Sequence, residues 1–153
     1  MSACSSSSPA DTRAIAAGLA RMAEPGDIVT LDGDLGAGKT EFAKGFAEGL
    51  GVPYPEDVVS PTFSLMQIYE GGRLPLYHFD IYRLEDASEA EEIGIDEYLF
   101  GRGVCLIEWA SRIEEILPEK QRTAITLERV PGQGEDVRRI TIRRPDDHED
   151  TRD

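Results

Sequence analysis

Apolar positions change their period along this chain, and the changes mark out its elements. From Asp11 or Thr12 to about Ala23, Ile15, Leu19 and Met22 fall on one helical face, and Pro25-Gly26 stops the helix. Asp27-Ile28-Val29-Thr30-Leu31 is a short apolar β-branched run that predicts the first strand. Beyond it Phe42, Phe46 and Leu50 recur at helical spacing beside Ala43 and Ala47, until Gly51 ends that helix. An irregular stretch over 51–62 closes with Ser60-Pro61-Thr62. Alternating segments at about 63–69 and 74–80 then flank Glu70-Gly71-Gly72-Arg73 and predict a hairpin.

The acidic segment from Ala87 to about Leu99 predicts helix with a break near Gly94. Val104-Cys105-Leu106-Ile107 is a near-continuous apolar run, as expected of a strand buried on both faces. A short helix is expected around Ser111–Ile116, ahead of Leu117-Pro118. A second hairpin is expected from segments at about 123–129 and 137–143, which flank Pro131-Gly132-Gln133-Gly134. Helices alternating with strands early, and hairpins later, predict the α/β class, with a mixed central sheet and helices on both faces. No internal repeat or linker divides the chain. A single domain is expected over 10–144, between a Ser-rich leader, 1–9, and an acidic tail, 145–153, both expected to be disordered.

Composition narrows the function classes. At 153 residues with 40% hydrophobic, the chain is long enough for one real core. It has no apolar stretch of membrane-spanning length and no signal-peptide layout. Cys4 and Cys105 lack metal-ligand spacing, and no bridge is expected between a leader and a core strand, so a cytoplasmic location is expected. The net charge is −14, from 16 basic and 30 acidic residues. Such a surface repels a polyanion, so any nucleic acid substrate is expected to be held by another protein. Solubility alone also accounts for the sign.

The chemistry is concentrated in Gly33-Asp34-Leu35-Gly36-Ala37-Gly38-Lys39-Thr40, a G-x-x-x-x-G-K-T loop between a strand and a helix. In this pattern the glycines let backbone N–H groups turn around a phosphate, and the lysine supplies a mobile charge to the β- and γ-oxygens. The threonine hydroxyl ligates Mg²⁺, and the helix points its positive end at the anion. A bound nucleoside triphosphate is predicted, contacted by Asp34, Leu35, Gly36, Ala37, Gly38, Lys39 and Thr40, with Lys39 on the solvent side of the turn. None of the three lysines, Lys39, Lys44 and Lys120, has an Asp two residues on, so the usual guanine reader is missing and ATP is favoured.

Such a loop needs a carboxylate from a neighbouring strand end to hold the metal directly or through water. Glu108 and Asp80 both qualify. Glu108 ranks first because its strand looks central, whereas an exposed acid also fits the end of a hairpin arm at Asp80. Thr62 is a candidate for approaching the γ-phosphate from a switch-like loop, although Ser-Pro-Thr is also a common turn. His78 reads as a strand side chain rather than a base and Trp109 as packing. Arg83 fits a phosphate contact or a partner for Asp86 equally well.

Four blocks occur in order: the phosphate loop, Ser60-Pro61-Thr62-Phe63, Tyr77-His78-Phe79-Asp80-Ile81-Tyr82-Arg83-Leu84, and Leu106-Ile107-Glu108-Trp109. Over about residues 11–143 the chain resembles the TsaE family of the bacterial threonylcarbamoyladenosine tRNA-modification pathway. The resemblance implies a P-loop NTPase-like fold and Mg²⁺-dependent hydrolysis of ATP. It also implies action on TsaD and TsaB, which transfer threonylcarbamoyl to adenosine 37 of ANN-reading tRNAs, so that tRNA is met only through these partners. Carried over, Lys39 and Thr40 match the phosphate and Mg²⁺ positions, and Glu108 matches a second Mg²⁺ position. Asp80 and Thr62 join Glu108 as catalytic candidates. Thr12 matches a nucleotide-associated threonine, though an N-cap role fits it as well. Glu41 departs from the family, where a second threonine is common. Two other classes remain: a small-molecule kinase, for which only Arg73, Arg83 and Arg102 lie between the loop and Glu108, and a nucleotide-dependent binding module without turnover.

Overall fold

The computed structural model describes residues 1–34 and 36–145; Leu35 and the expected acidic tail beyond Pro145 lie outside them. Its strands are β1 (Ser2–Ser6), β2 (Ile28–Asp32), β3 (Met66–Tyr69), β4 (Leu76–Asp80), β5 (Val104–Glu108), β6 (Arg122–Arg129) and β7 (Arg138–Arg143). They form one sheet in the order β1-β7-β6-β2-β5-β4-β3. β6, β2, β5 and β4 lie side by side and parallel, while β3 on one edge and β7 and β1 on the other run antiparallel. Most of the mixed sheet follows from the sequence pattern: hairpins supply the antiparallel β3–β4 and β6–β7 pairs, and helical crossovers supply the parallel ones.

Helices α1 (Pro9–Arg21) and α2 (Lys39–Leu50) cover one face, and α3 (Ala87–Glu92), α4 (Ile95–Leu99) and a 3-10 segment (Ala110–Ile116) cover the other. Strand alternation sorts the core between them. Val29, Leu31, Leu76, Val104, Leu106, Ile125, Leu127 and Ile140 pack beneath α1 and α2. Ile28, Phe79, Cys105 and Ile107 pack beneath α3 and α4. α1 and α2 approach closely because α2 carries Gly45 and Gly49 one turn apart. A Cβ on Gly45 would lie 2.3 Å from the Arg13 carbonyl oxygen, and one on Gly49 2.4 Å from that of Ala17. An alanine at either position forces the helices apart, so these glycines keep their place despite their cost within a helix.

Several sequence expectations are corrected. Ser2–Ser6, expected in a disordered leader, form β1 and pair with β7. Serines carry little strand signal, but the edge of β7 offers a ladder to complete, and Cys4 packs against the core. α1 begins at Pro9 rather than Asp11 or Thr12, because the Ser8 hydroxyl caps the Asp11 N–H at 3.1 Å; this excludes Thr12 as the N-cap. β3 begins at Met66 rather than 63, because Leu65 turns through φ 67° and its N–H bonds Pro61. The break at Gly94 is as expected, with φ 83° between α3 and α4. Both cysteines are free, and burial pushes the Cys105 thiol up to about 12. No helix among the described residues is long and apolar enough to cross a membrane.

Candidate active site

β2 runs directly into the phosphate loop and α2, so the loop sits at the C-terminal edge of the parallel strands. The register aligns β4 and β5 so that Asp80 stands opposite Glu108, with His78 opposite Leu106. Leu76, His78 and Asp80 therefore share one face with Val104, Leu106 and Glu108. The apolar members feed the core under α2, and the polar ones emerge beside the loop. The result is a cleft of about 430 Å³ lined by Gly36, Gly38, Lys39 and Thr40 on one side and by Ser60, Thr62, Asp80, Glu108 and Trp109 on the other. Pro9, Thr12, Glu41 and Arg138 complete its far end.

Lys39 is buried, which corrects the expectation that it lies on the solvent side of the turn. Its Nζ donates to the Gly33 carbonyl at 2.8 Å and lies 3.7 Å from the centre of the Trp109 ring. Trp109 takes φ 61°, so the chain reverses at once after Glu108 and brings the indole back over the lysine. Trp109 is therefore a wall of the cleft as well as a packing residue, and it rests on Tyr82 at 4.9 Å between ring centres. Desolvation pushes the Lys39 ammonium below its ordinary range, against the opposing pull of Glu108, Asp80, Asp32 and Asp34.

The two carboxylates are almost wholly buried: Glu108 is 1% and Asp80 3% exposed, so Asp80 is not an exposed hairpin-end acid. Both are held by the same loop. Ser60 Oγ donates to Glu108 Oε1 at 3.1 Å, and Thr62 Oγ1 donates to Asp80 Oδ2 at 2.9 Å. Since the Ser60 proton goes to Glu108, the Thr40 hydroxyl donates to Ser60 across 3.3 Å. The other Asp80 oxygen accepts the Tyr82 N–H at 3.0 Å. His78 Nε2 lies 2.7 Å from Glu108 Oε2, within hydrogen-bond distance, and its buried Nδ1 has no partner among the described residues. Ser60 and His78 were not singled out as site residues by sequence. The signal that finds them is register: His78 lies two residues before Asp80 on the same strand face, and Ser60 two residues before Thr62.

The remaining candidates fall as follows. Thr12 lies inside α1, buried, with its hydroxyl 2.7 Å from that of Ser6, so β1 positions it at the far end of the cleft. Asp34 is exposed and does not line the cleft, although its carbonyl accepts the Ala37 N–H at 3.0 Å. Ala37 is packed beneath the loop, and Leu35 lies outside the described residues. Arg83 stacks over Phe63 at 5.5 Å rather than pairing with Asp86, which caps α3. Neither Arg83 nor Arg73, which bonds the Ala20 carbonyl, lines the cleft.

The arrangement fits a triphosphate with a hard cation. Gly36 and Gly38 take φ 80° and 105°, which opens the loop main chain, and Gly38 precedes α2 as its N-cap, with no side-chain cap on the helix's first N–H groups. Two buried carboxylates facing such an anion site would repel a polyphosphate, and a divalent cation between them reconciles the charges. Thr40 and Glu108, bridged by Ser60, are hard oxygen donors suited to Mg²⁺. Among the described residues no group of three or more His, Cys, Asp or Glu forms an all-protein metal cage.

A G-x-x-x-x-G-K-T loop joining a strand to a helix at the C-terminal edge of a mixed sheet defines an α/β protein of P-loop NTPase-like fold. The model of the family described as "Threonylcarbamoyl adenosine biosynthesis protein TsaE" matches residues 6–140. The tRNA threonylcarbamoyladenosine biosynthesis protein TsaE of Bacillus subtilis (strain 168) is 54% identical over 134 residues, 88% of this chain and 80% of that protein. The protein of the same name from Treponema pallidum (strain Nichols) is 47% identical over 76% of this chain and 84% of its own length. A crystal structure titled as that of Bacillus subtilus YdiB superposes with a TM-score of 0.74 at 46% identity, covering 92% of this chain and 83% of the other. This chain belongs to the TsaE family.

Proposed function

We propose that this protein is a cytoplasmic Mg²⁺-dependent ATPase that serves threonylcarbamoylation of tRNA by acting on a TsaD–TsaB assembly, without being the transferase itself. The observation that carries the reading is the convergence of Lys39, Thr40, Glu108, Asp80 and Thr62 on one cleft. When bound, Mg²⁺ neutralises phosphate charge and polarises the bond to be broken. The chain's own residues do the rest. Lys39 turns its ammonium from the Gly33 carbonyl to phosphate oxygens, and the free N–H groups at the start of α2 receive the anion. Thr40 and Glu108 present oxygens to the cation, with Glu108 held by His78. Asp80 orients water beside the phosphates, and Thr62, which donates to it, links it to the loop that senses the γ-phosphate. Trp109 excludes water from Lys39.

A kinase reading is disfavoured, because Arg73 and Arg83 are engaged away from the cleft. The net charge of −14 supports contact with tRNA through partners rather than directly. The test is ATP hydrolysis with and without purified TsaD–TsaB, alongside a gel shift with tRNA. Stimulated hydrolysis and weak direct tRNA binding are expected. Phosphorylation of an acceptor, or binding without any turnover, would overturn the ATPase assignment. Failure to associate with TsaD–TsaB under every nucleotide condition would overturn the assigned partner.

A further inference from the structure

We infer that Arg129, from outside the cleft, and Arg138, from its far end, clamp the phosphate loop and set its affinity for nucleotide, a positioning role that rests on the nucleotide reading above. Both come from the C-terminal hairpin, about a hundred residues beyond the loop. Arg138 Nε donates to the Ala37 carbonyl at 3.0 Å and its Nη2 to the Gly36 carbonyl at 3.2 Å. Arg129 Nη2 donates to the same Gly36 carbonyl at 3.1 Å. The Arg138 fork is pinned in turn by the Val137 carbonyl at 3.0 Å and by the Glu135 carbonyl.

Peptide geometry makes these bonds matter. In a trans peptide the C=O and the following N–H point in opposite directions, and no peptide among the described residues is cis. Holding the Ala37 carbonyl on Arg138 therefore fixes the direction of the Gly38 N–H, which points away from that guanidinium at a residue that lines the cleft. Holding the Gly36 carbonyl on the two arginines leaves the Ala37 N–H to close the turn on Asp34, at 3.0 Å. The clamp thus fixes the two peptide planes that shape the anion cradle. Gly36 is hemmed in by it: a Cβ there would lie 2.5 Å from Arg129 Nη2.

Two further observations point to a role beyond folding. Arg129 and Arg138 are register partners directly across the β6–β7 ladder, a placement in which like charges oppose pairing. Among the described residues neither guanidinium is paired with a carboxylate. In a chain of −14, two guanidinium groups without a carboxylate partner stand against the phosphate loop, Arg138 at the far end of the cleft itself, and raise the potential where an anion is to bind.

The test compares wild type with Arg138→Gln, Arg129→Gln and Arg138→Lys. Each is titrated calorimetrically with Mg-ADP and Mg-ATP, followed by amide hydrogen exchange over residues 33–40 in the free protein, with thermal melting as the control for folding. Arg138→Gln is expected to weaken both nucleotides by about 10-fold or more, from the loss of two charge-assisted bonds, and Arg129→Gln by about threefold, from the loss of one. Both variants should exchange loop amides faster at a nearly unchanged melting temperature. Arg138→Lys should behave like Arg138→Gln, because one ammonium cannot reproduce the fork. Wild-type affinity and wild-type loop exchange in both glutamine variants overturn the inference. Full recovery by lysine with unchanged loop exchange also overturns it, leaving charge alone as the cause. If wild type binds neither nucleotide, the nucleotide reading fails, and loop exchange still decides whether the clamp exists.

Discussion

The two rims of the cleft are built by different means. On the phosphate-loop rim the main chain does the work: β2 leads through the loop into α2, the Ala37 N–H closes on Asp34, the Phe42 N–H closes on Gly38, and two arginines hold the carbonyls. On the opposite rim, the main-chain bonds of Ser60-Pro61-Thr62 among the described residues are local, Thr62 N–H to Ser60 and Leu65 N–H to Pro61. Two side-chain hydroxyls tie it to Glu108 and Asp80. Its flanks, Val59 and Phe63, are 57% and 86% exposed. A fixed rim suits the invariant β-phosphate. A rim held by hydroxyls on the same carboxylates that a metal engages is one whose partners can be exchanged, which suits a sensor of the γ-phosphate.

The largest expected break in that contrast is at Lys39. Lys39→Ala should weaken ATP by about 100-fold, from the loss of a charge-assisted contact of roughly 3 kcal/mol. The same change should leave melting of the free protein unchanged or slightly raised, since it removes a desolvated charge. Calorimetry showing wild-type affinity would refute the assignment of the fixed rim.

Next comes the carboxylate rim. Glu108→Gln should lower turnover by about 100-fold while ATP affinity stays within about threefold, because the glutamine keeps shape and loses the charge the cation needs. Single-turnover hydrolysis beside binding measurements checks this. A dead Asp80→Asn beside an active Glu108→Gln would reverse the ranking of the two acids.

A smaller effect sharpens the contrast directly. Thr62→Val should speed amide exchange across 58–65 and lower turnover by about 10-fold, from the loss of one positioning hydrogen bond, with ADP affinity unchanged. Loss of ADP affinity in this variant would mean that the rims are not separable.

The smallest effect lies at Asp32, which ends β2 as Glu108 ends β5 but faces away from α2. Burial raises its pKa above the ordinary 3.8, only partly offset by Lys39. Below the unfolded value both states are protonated and there is no penalty. As pH rises through that value toward the folded one, stability is lost, and it stays lost at neutral pH. Asp32→Asn should therefore raise the melting temperature at pH 7 by about 1–3 °C, with the advantage vanishing below roughly pH 4. A lower melting temperature at pH 7 would show that the charge is used structurally.

Much of the molecule was legible because its determinants are local. The phosphate loop is one run of eight residues, α2 announces itself by Phe42, Phe46 and Leu50, and β5 by Val104–Ile107. Glu108 and Asp80 were legible as strand ends, since strand-end carboxylates beside such a loop have a chemical purpose. Ser60 and His78 were not, because a serine in a loop and a histidine in a strand have many uses until the neighbours are known.

By itself the sequence determined the class of fold, the anion-binding loop and the residue types available for its chemistry, all through periodicity and contiguous spacing. Tertiary structure decided what depends on contacts between distant segments. The β4–β5 register places Asp80 opposite Glu108. The left-handed turn at Trp109 buries Lys39. The edge of β7 recruits a serine-rich segment that the sequence reads as disordered, and β1 then holds Thr12. Arg129 and Arg138 look like ordinary strand charges until the hairpin folds back on Gly36 and Ala37. A side chain's own sequence neighbours set its local conformation, but the partners that give it a task are set by packing of the whole sheet.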